Sequence, residues 1–308
     1  MSKKLRIGGA SGFWGDSVIA TPQLLNGNDL DFIVYDYLAE ITMSIMARAR
    51  AKDATKGYAV DFVSSVLKLN LRQIADQKVK ILSNAGGVNP EACAEAIREL
   101  IKELKLDLKV SVVLGDDLMT EKSKFSELNT KEMYSNEDFP AEDKIASINA
   151  YLGAFPIAEA LKSGADIVIT GRSVDSAVTL GACIYAFGWN EKEYDKLAAG
   201  SLAGHIIECG TQSTGGNFTD WELVSKDLHQ IGYPIVEVSE DGSFDCTKSK
   251  NSTGMVSFGT VAEQMLYEIG DPQAYILPDV ICDFSNVKIE ETEKDKVKIS
   301  GAKGYPAP

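Results

Sequence analysis

The stretch Gly204–Trp221 contains the residues best suited to acid–base chemistry, in the sequence GHIIECGTQSTGGNFTDW. His205 and Glu208 are three positions apart, so both would lie on one face of a helix, and histidine titrates near neutral pH. We therefore predict that His205 and Glu208 are catalytic acid–base groups. The alternative is a buried histidine beside a glycine-rich turn. Substrate-binding residues predicted in the same stretch are Gln212, Gly215 and Gly216.

A second candidate site follows an apolar run that ends at Thr170, in the sequence TGRSVD. An arginine at the carboxyl end of a strand can bind a carboxylate through two parallel hydrogen bonds. Asp175 would lie in the first turn of the next helix, where its charge suits the helix dipole. Arg172 and Asp175 are therefore predicted to bind substrate. The alternative is an ion pair between them that only orders the loop.

The loop NAGGVNP (84–90) follows another apolar run. Gly86 and Gly87 permit a concave arrangement of backbone N–H groups that binds anions, and Pro90 suits the first position of a helix. Asn84, Gly86 and Gly87 are therefore predicted to bind substrate. A simple strand-to-helix turn is the alternative.

The loop GGASGFWGD (8–16) has a glycine at every third position, and Asp36 ends the next apolar run. This pattern is similar to the dinucleotide-binding fingerprint, although it differs from the strict GxGxxG spacing. Gly9, Gly12 and Asp16 are predicted to bind substrate. An NAD(P)-dependent reductase is an alternative, which is weakened because no tyrosine is followed four places later by a lysine.

Short apolar runs position these loops, and an amphipathic stretch follows most of them. This alternation predicts an α/β fold with a mostly parallel sheet and helices on both faces. Ligands bind beyond the carboxyl ends of such strands, so the loops are predicted to share one edge. The predicted strands are Leu5–Gly9, Leu30–Tyr35, Val79–Ser83, Leu108–Leu114 and Ala165–Thr170. The predicted helices are Ala39–Arg50, Ala59–Ile74, Pro90–Glu103, Phe155–Lys162 and Val174–Phe187.

The pattern changes after residue 200, which predicts an α/β domain over 1–200 and a smaller, more β-rich subdomain over 201–308. Strand-like runs in the second part are Tyr233–Val238, Met255–Gly259 and Val280–Phe284. The charged segment Thr120–Lys144 lacks an apolar period. It is predicted to be a solvated excursion, with a mobile lid as the alternative.

Charge and cysteine usage exclude several classes of function. The chain has 31 basic and 45 acidic residues, for a net charge of −14. Such a charge repels phosphate backbones and anionic membrane surfaces, so neither nucleic acid nor membrane is an expected partner. The beginning of the chain is unlike a signal peptide, and no segment is long and apolar enough for a membrane span. The five cysteines form no CxxC pair, which indicates reduced cytoplasmic thiols and no metal site.

Several long motifs occur in a fixed order and together resemble the N-terminal domain of the acyclic terpene utilisation (AtuA) family across essentially the whole chain. The motifs are GGASGFWGD (8–16), DYLAE (36–40), GYAVDF (57–62), NAGGVNP (84–90), GADIVITGRSVD (164–175), GHIIECGTQSTGGNFTDW (204–221) and YEIGDPQAYILPDV (267–280). The resemblance implies a cytoplasmic protein of branched acyclic terpenoid breakdown, in which the acids are handled as CoA thioesters. Family members commonly continue into a ferredoxin-like C-terminal domain. The chain is therefore expected to be a fragment, with such a domain or subunit as a candidate partner.

The residues and the resemblance together favour an enzyme, or enzyme subunit, acting on a branched unsaturated acyl-CoA or carboxylate. Hydration, dehydration or a related lyase step would use His205 or Glu208 to move a proton next to the carbonyl. Backbone N–H groups of the Gly86–Gly87 or Gly215–Gly216 turns would hold the enolate oxygen. The other hypotheses are a non-catalytic binding or scaffold subunit and an NAD(P)-dependent reductase. No cofactor is identified from the sequence, and a homo-oligomer is expected.

Overall fold

The computed structural model describes residues 4–16, 18–27, 29–128 and 130–307. Strands and helices are numbered along the chain. The strands are β1 Leu5–Gly9, β2 Phe32–Tyr35, β3 Lys80–Ser83, β4 Val110–Val113, β5 Ile167–Thr170, β6 Pro234–Val238, β7 Phe244–Lys248, β8 Tyr275–Ile276, β9 Ile281–Asp283, β10 Lys288–Glu293, β11 Lys296–Ser300 and β12 Lys303–Tyr305. The α-helices are α1 Ala20–Leu25, α2 Glu40–Lys52, α3 Lys68–Gln77, α4 Pro90–Leu104, α5 Lys122–Glu127, α6 Phe155–Lys162, α7 Ala177–Phe187, α8 Tyr194–Ile207 and α9 Phe258–Leu266.

Within the described residues, most strands join one large sheet in the order β10-β11-β7-β6-β1-β2-β3-β5-β4. The neighbours from β1 through β4 are parallel, and those from β1 through β10 are antiparallel. A small antiparallel sheet has the order β12-β9-β8. The predicted α/β class is confirmed, and the five predicted strands of the parallel half are β1 to β5.

Alternating side chains of the parallel strands point to opposite faces, and helices cover both. Ile33 and Tyr35 of β2 pack in the core formed with α1 to α4. Phe32 and Val34, their neighbours along the strand, pack in the core formed with α6, α7 and α8. Because β2 and β5 are buried on both faces, their runs are almost continuously apolar, which is what made them recognisable.

The chain after α8 extends this sheet in the antiparallel direction. Strand β6 pairs with β1 through Ile7 and Val236. Strands β7, β11 and β10 continue outward from β6. Residue 200, the expected domain boundary, lies within α8.

The strand predicted over Met255–Gly259 is wrong, because α9 begins at Phe258. Ser257 caps this helix: its hydroxyl accepts a hydrogen bond from the Thr260 N–H, and the Thr260 hydroxyl accepts one from the Ser257 N–H. This reciprocal cap satisfies two N–H groups at the helix start and outweighs the local strand propensity.

Two further features bear on the expectations from sequence. Residues Phe62–Leu67, inside the predicted helix Ala59–Ile74, form a π-helical segment that continues into α3. Such segments are frequent at functional sites.

In the part of the chain that is described, no helix combines the length and apolarity that crossing a bilayer requires.

Candidate functional site

The loops that follow β1, β2, β3 and β5 meet at one edge of the sheet. The Ser11 hydroxyl donates to the Asp36 carbonyl oxygen at 2.9 Å. The Gly86 N–H donates to the Thr170 carbonyl oxygen at 3.1 Å. These contacts arise because parallel strands end at the same side of the sheet, as predicted. The loops at the carboxyl ends of these strands are therefore adjacent to one another.

Asp36 is a buried carboxyl group at the end of β2. The Asn84 side-chain amide donates to it at 2.5 Å, and the Tyr37 N–H donates to the Asn84 amide oxygen at 2.7 Å. Burial raises the pKa of Asp36 well above its usual value, and the charges of Asp175 and Glu208 raise it further. Asn84 therefore positions Asp36, and the raised pKa of Asp36 favours its protonated form.

Arg172 is buried at the end of β5, with its guanidinium held by protein groups. Its Nη1 donates to the Leu38 carbonyl oxygen at 2.8 Å and to an Asp175 carboxylate oxygen at 3.0 Å. The ring of Tyr151 covers the guanidinium, with 4.1 Å between Cζ and the ring centroid. The main-chain N–H of Arg172 donates to the Asp116 carboxylate. The ion pair weighed as an alternative from sequence is thus present, and Arg172 offers little free surface to a ligand.

Asp175 titrates near neutral pH. Burial and the charge of Glu208 raise its pKa to about 7, while Arg172 opposes this shift. The Asp175 side chain is 29% exposed, so solvent or a ligand can reach it. A carboxyl group with this pKa exists in both protonation states at neutral pH, as acid–base catalysis requires.

His205 and Glu208 form a buried pair at the carboxyl end of α8. His205 Nδ1 lies 2.7 Å from a Glu208 carboxylate oxygen, and the two residues are 2% and 7% exposed. Burial lowers the pKa of His205, but the Glu208 charge and hydrogen bond more than offset this, so the pKa lies above its usual value. His205 Nε2 is buried and has no hydrogen-bond partner among the described residues.

The end of α8 packs directly on the strand-end loops, which brings Glu208 to the carboxyl groups. A Cβ placed on Gly204 would lie 2.8 Å from Ser176, just after the Arg172–Asp175 turn. Glu208 is close enough to raise the pKa of both Asp36 and Asp175. The structure therefore joins the two sequence-predicted sites around Arg172 and His205 into one carboxyl cluster, which we define as Asp36, Asp175 and Glu208.

The glycines of the first loop allow this close packing. A Cβ on Gly9 would lie 2.2 Å from the Ile207 carbonyl oxygen, and one on Gly12 would lie 2.8 Å from the Gly210 nitrogen. The Gly12 N–H donates to the Asp16 carboxylate at 2.9 Å. The last residue of α8 and the chain just after it thus pack directly against Gly9 and Gly12. No observation in the described residues favours the reductase alternative.

The four N–H groups predicted to hold an enolate oxygen already have protein acceptors. The Gly86 N–H donates to Thr170 and the Gly87 N–H to the Asn84 carbonyl oxygen. The two glycines that follow the turn Gln212–Thr214 also donate their N–H groups to main-chain oxygens. The Gly215 N–H donates to the carbonyl oxygen of Gln212, and the Gly216 N–H to that of Thr211. In this conformation these glycines make turns and do not present donors.

Two residues at the mouth of the cluster were not singled out from sequence as site residues. Tyr151 is 43% exposed, and its hydroxyl is hydrogen-bonded to the Glu40 carboxylate. Glu40 begins α2 and lies 3.7 Å from the Arg172 guanidinium. Glu40 belongs to the DYLAE motif and could have been identified as a site residue from it, whereas Tyr151 lies outside all the motifs named above.

The described residues contain no group of three or more His, Cys, Asp or Glu side chains that could hold a metal ion. The cysteine beside the cluster, Cys209, is partly buried, and burial together with Glu208 raises the pKa of its thiol. A thiol with a raised pKa is a poor nucleophile at neutral pH. The titratable groups gathered at this edge of the sheet include the three carboxyl groups of the cluster and the His205 imidazole.

Comparison with known proteins confirms the resemblance drawn from the motifs. The family model described as acyclic terpene utilisation family protein AtuA matches residues 5–308, essentially the whole chain. No curated protein and no solved structure matches the chain.

Proposed function

Because the chain belongs to the acyclic terpene utilisation (AtuA) family, which supports a role in terpene catabolism, we propose that it catalyses a hydratase- or lyase-type step on a branched, unsaturated acyl thioester. The observation that carries the proposal is Asp175, a partly exposed carboxyl group with a pKa of about 7 at the carboxyl edge of a parallel sheet.

Addition or removal of water next to a thioester requires a group that moves a proton and a donor that stabilises the enolate oxygen. Asp175 is suited to the first task because it is half-protonated near pH 7. Asp36 is suited to the second, because burial and the neighbouring carboxylates raise its pKa and so favour the protonated form, which can donate a hydrogen bond. This assignment replaces the four glycine N–H groups, which are engaged in turns.

The charge of the cluster favours a thioester over a free acid as substrate. The charges of Asp175 and Glu208 raise the pKa of Asp36, the charge of Glu208 raises that of Asp175, and Glu40 and Glu268 add negative charge near Asp175. A substrate carboxylate would be repelled at this position, whereas a thioester carbonyl is uncharged and can accept a hydrogen bond from a protonated carboxyl group. Arg172 does not reverse this preference, because Leu38 and Asp175 already hold it.

His205 and Glu208 remain acid–base candidates, joined to Asp175 through Glu208. The hydrogen bond between His205 Nδ1 and Glu208 fixes the imidazole and favours its charged form. Glu208 in turn raises the pKa of Asp175. We assign to this pair the control of the protonation state of Asp175.

Hydrogen exchange at the substrate α-carbon tests the proposal and does not require the product to be identified. Branched saturated and α,β-unsaturated acyl-CoA compounds and the matching free acids are incubated with the protein in D2O, and deuterium uptake is measured by mass spectrometry. We expect uptake with thioesters, and a loss of about 10²–10⁴-fold in Asp175→Asn because the proton-transfer group is removed. The matched control is Asp76→Asn, an exposed acid of α3.

A second variant tests the role of Glu208. In Glu208→Gln the charge that raises the pKa of Asp175 is absent. The change in exchange rate with pH that reports the titration of Asp175 should therefore occur at lower pH than in the wild type. Equal exchange in Asp175→Asn and the wild type would overturn the acid–base assignment. No exchange with any thioester would return the chain to the binding or scaffold alternative.

A further inference from the structure

A cavity of about 440 Å³ between α2 and residues 139–148 differs from other cavities of the molecule in its charge. Its lining includes the cations Arg48 and Lys144 and no Asp or Glu. Four other cavities within the described residues each include at least one acidic side chain. In a chain with a net charge of −14, a concave surface with two cations and no carboxylate attracts anions selectively.

The two cations are not neutralised by an ion pair. The salt bridges of the described residues include neither Arg48 nor Lys144. The nearby Glu142 carboxylate accepts a hydrogen bond from the Ser123 hydroxyl at 3.1 Å. Arg48 and Lys144 are both exposed. Both are therefore available to a ligand that enters the cavity.

The face of α2 that lines the cavity through Ser44 and Arg48 also carries two exposed isoleucines. Ile41, Ser44, Ile45 and Arg48 have the spacing i, i+3, i+4, i+7, so they lie on one face of the helix. Ile41 is 71% exposed and Ile45 is 47% exposed. The facing wall of the cavity contributes the apolar side chains Phe139, Ile145 and Ile148. We refer to the cavity together with this face of α2 as the groove, which has apolar side chains along it and the cations Arg48 and Lys144 at one end.

The N-terminal end of α2 lies beside the residues that surround the carboxyl cluster. Helix α2 begins at Glu40, which is hydrogen-bonded to Tyr151, and the Tyr151 ring covers Arg172. Arg48 is eight residues after Glu40, which corresponds to about 12 Å along the helix axis. A bound molecule with an anionic group at Arg48 would thus need an uncharged arm of about this length to bring a reactive group to the cluster.

We propose that this groove binds the phosphate-bearing arm of a coenzyme A thioester, with phosphate groups at Arg48 and Lys144. The uncharged pantetheine portion lies along the stripe of Ile41 and Ile45, and the acyl carbonyl reaches the cluster beside Tyr151. The inference rests on the proposed function and adds to it the recognition of the carrier. It explains how a strongly acidic site can accept a polyanionic substrate: the negative charge binds at the distant end of the groove.

Binding of free coenzyme A, measured by isothermal titration calorimetry, tests the inference without any turnover. The double variant Arg48→Gln/Lys144→Gln should bind coenzyme A at least about tenfold more weakly than the wild type, because two charge-assisted contacts are lost. Its affinity should also depend less on salt. The matched control Arg72→Gln/Lys102→Gln removes the same charge from exposed positions of α3 and α4 and should bind as the wild type does. Pantetheine, which lacks phosphate, should bind equally to all three proteins.

Equal weakening in the two double variants would show an effect of net charge alone and would overturn the groove assignment. Failure of the wild-type protein to bind millimolar coenzyme A would overturn it as well. The acid–base step and the groove can be refuted by different results. Specific binding of coenzyme A without deuterium exchange of any thioester would refute the acid–base step alone. Exchange that is unaffected in Arg48→Gln/Lys144→Gln would refute the groove alone.

Discussion

The first glycine loop and the carboxyl cluster lie at the same edge of the sheet, but different things fill the space around them. Beside Gly9 and Gly12 that space is taken up by the main chain at the end of α8. Around Asp36 and Asp175 the neighbours are other carboxyl groups, one guanidinium and a partly open mouth at Tyr151. A glycine-rich loop at a strand end can thus serve helix docking, while the chemistry depends on the carboxyl groups that the docking brings together.

The largest effect that would test this contrast is expected from Gly9→Ala. Its Cβ would lie 2.2 Å from the Ile207 carbonyl oxygen, a main-chain atom that cannot move without shifting α8. We expect the free energy of unfolding to fall by about 3 kcal/mol or more. Urea denaturation of Gly9→Ala measures this change. The control is Gly270→Ala, where no atom lies within 4 Å of the added methyl group, and its stability should stay close to that of the wild type.

If Gly9→Ala is as stable as the wild type, α8 does not pack on the loop as described, and the space beside Gly9 would be open to a ligand. Nucleotide binding would then return as a function of this loop. A destabilised Gly9→Ala protein with an unchanged Gly270→Ala protein supports a packing role.

The features of this edge that depend on local sequence could be predicted, whereas those that depend on residues far apart in the chain could not. The parallel strands β1 to β5 were predictable because each is a short apolar run beside an amphipathic helix. The pairing of β6 with β1 joins Val236 to Ile7 across more than two hundred residues, and no local pattern specifies that register. The position of Asp36 at the end of β2 was therefore recognisable. Asp175 was expected in the first turn of the next helix but lies in the loop just before α7, and the electrostatic coupling of both residues to Glu208 was not predictable.

Tyr151 illustrates the same limit. Its contact with Arg172 depends on the path by which the chain returns from the excursion after β4, where the Ala150 N–H donates to the Asp116 carbonyl oxygen at 2.8 Å. Nothing in the residue types around Tyr151 encodes this return. The capping pair Ser257 and Thr260 is the opposite case: the signal was local and could have identified the start of α9.

An intermediate effect is expected from Asp175→Asn on the pH dependence of stability. The pKa of Asp175 is raised to about 7, so the folded state holds a proton that the unfolded state has lost. Wild-type stability should therefore fall as pH rises from about 4 to about 7. Asp175→Asn lacks this contribution, and its free energy of unfolding should decline less over that range, by on the order of 2 kcal/mol. Urea titrations at several pH values measure the difference.

His205 provides an internal reference for that measurement. Its pKa is raised in the folded protein, so its contribution to stability is present below its usual pKa and is lost as pH rises through the folded value. The loss of stability with rising pH that comes from His205 should persist in Asp175→Asn. The control Asp76→Asn, an exposed acid of α3, should keep the whole wild-type profile. An Asp175→Asn profile that matches the wild type would mean that Asp175 titrates as an ordinary surface carboxyl group.

The smallest effect is expected from Trp14→Phe, which addresses the link between the first loop and the π-helical segment. The Trp14 indole N–H donates to the Asp61 carboxylate at 2.5 Å, and Asp61 immediately precedes Phe62–Leu67. Phenylalanine keeps an apolar ring and removes this donor, so stability should fall by about 1 kcal/mol, the net contribution of one hydrogen bond to a charged group that stays partly solvated. The single variant Asp61→Ala, which removes the acceptor, and the double variant Trp14→Phe/Asp61→Ala close a thermodynamic cycle in urea denaturation. A coupling energy near zero would show that Trp14 stabilises the protein only through the packing of its ring. A measurable coupling would mean that the first loop is held by the Trp14–Asp61 hydrogen bond as well as by the packing of Gly9 on α8.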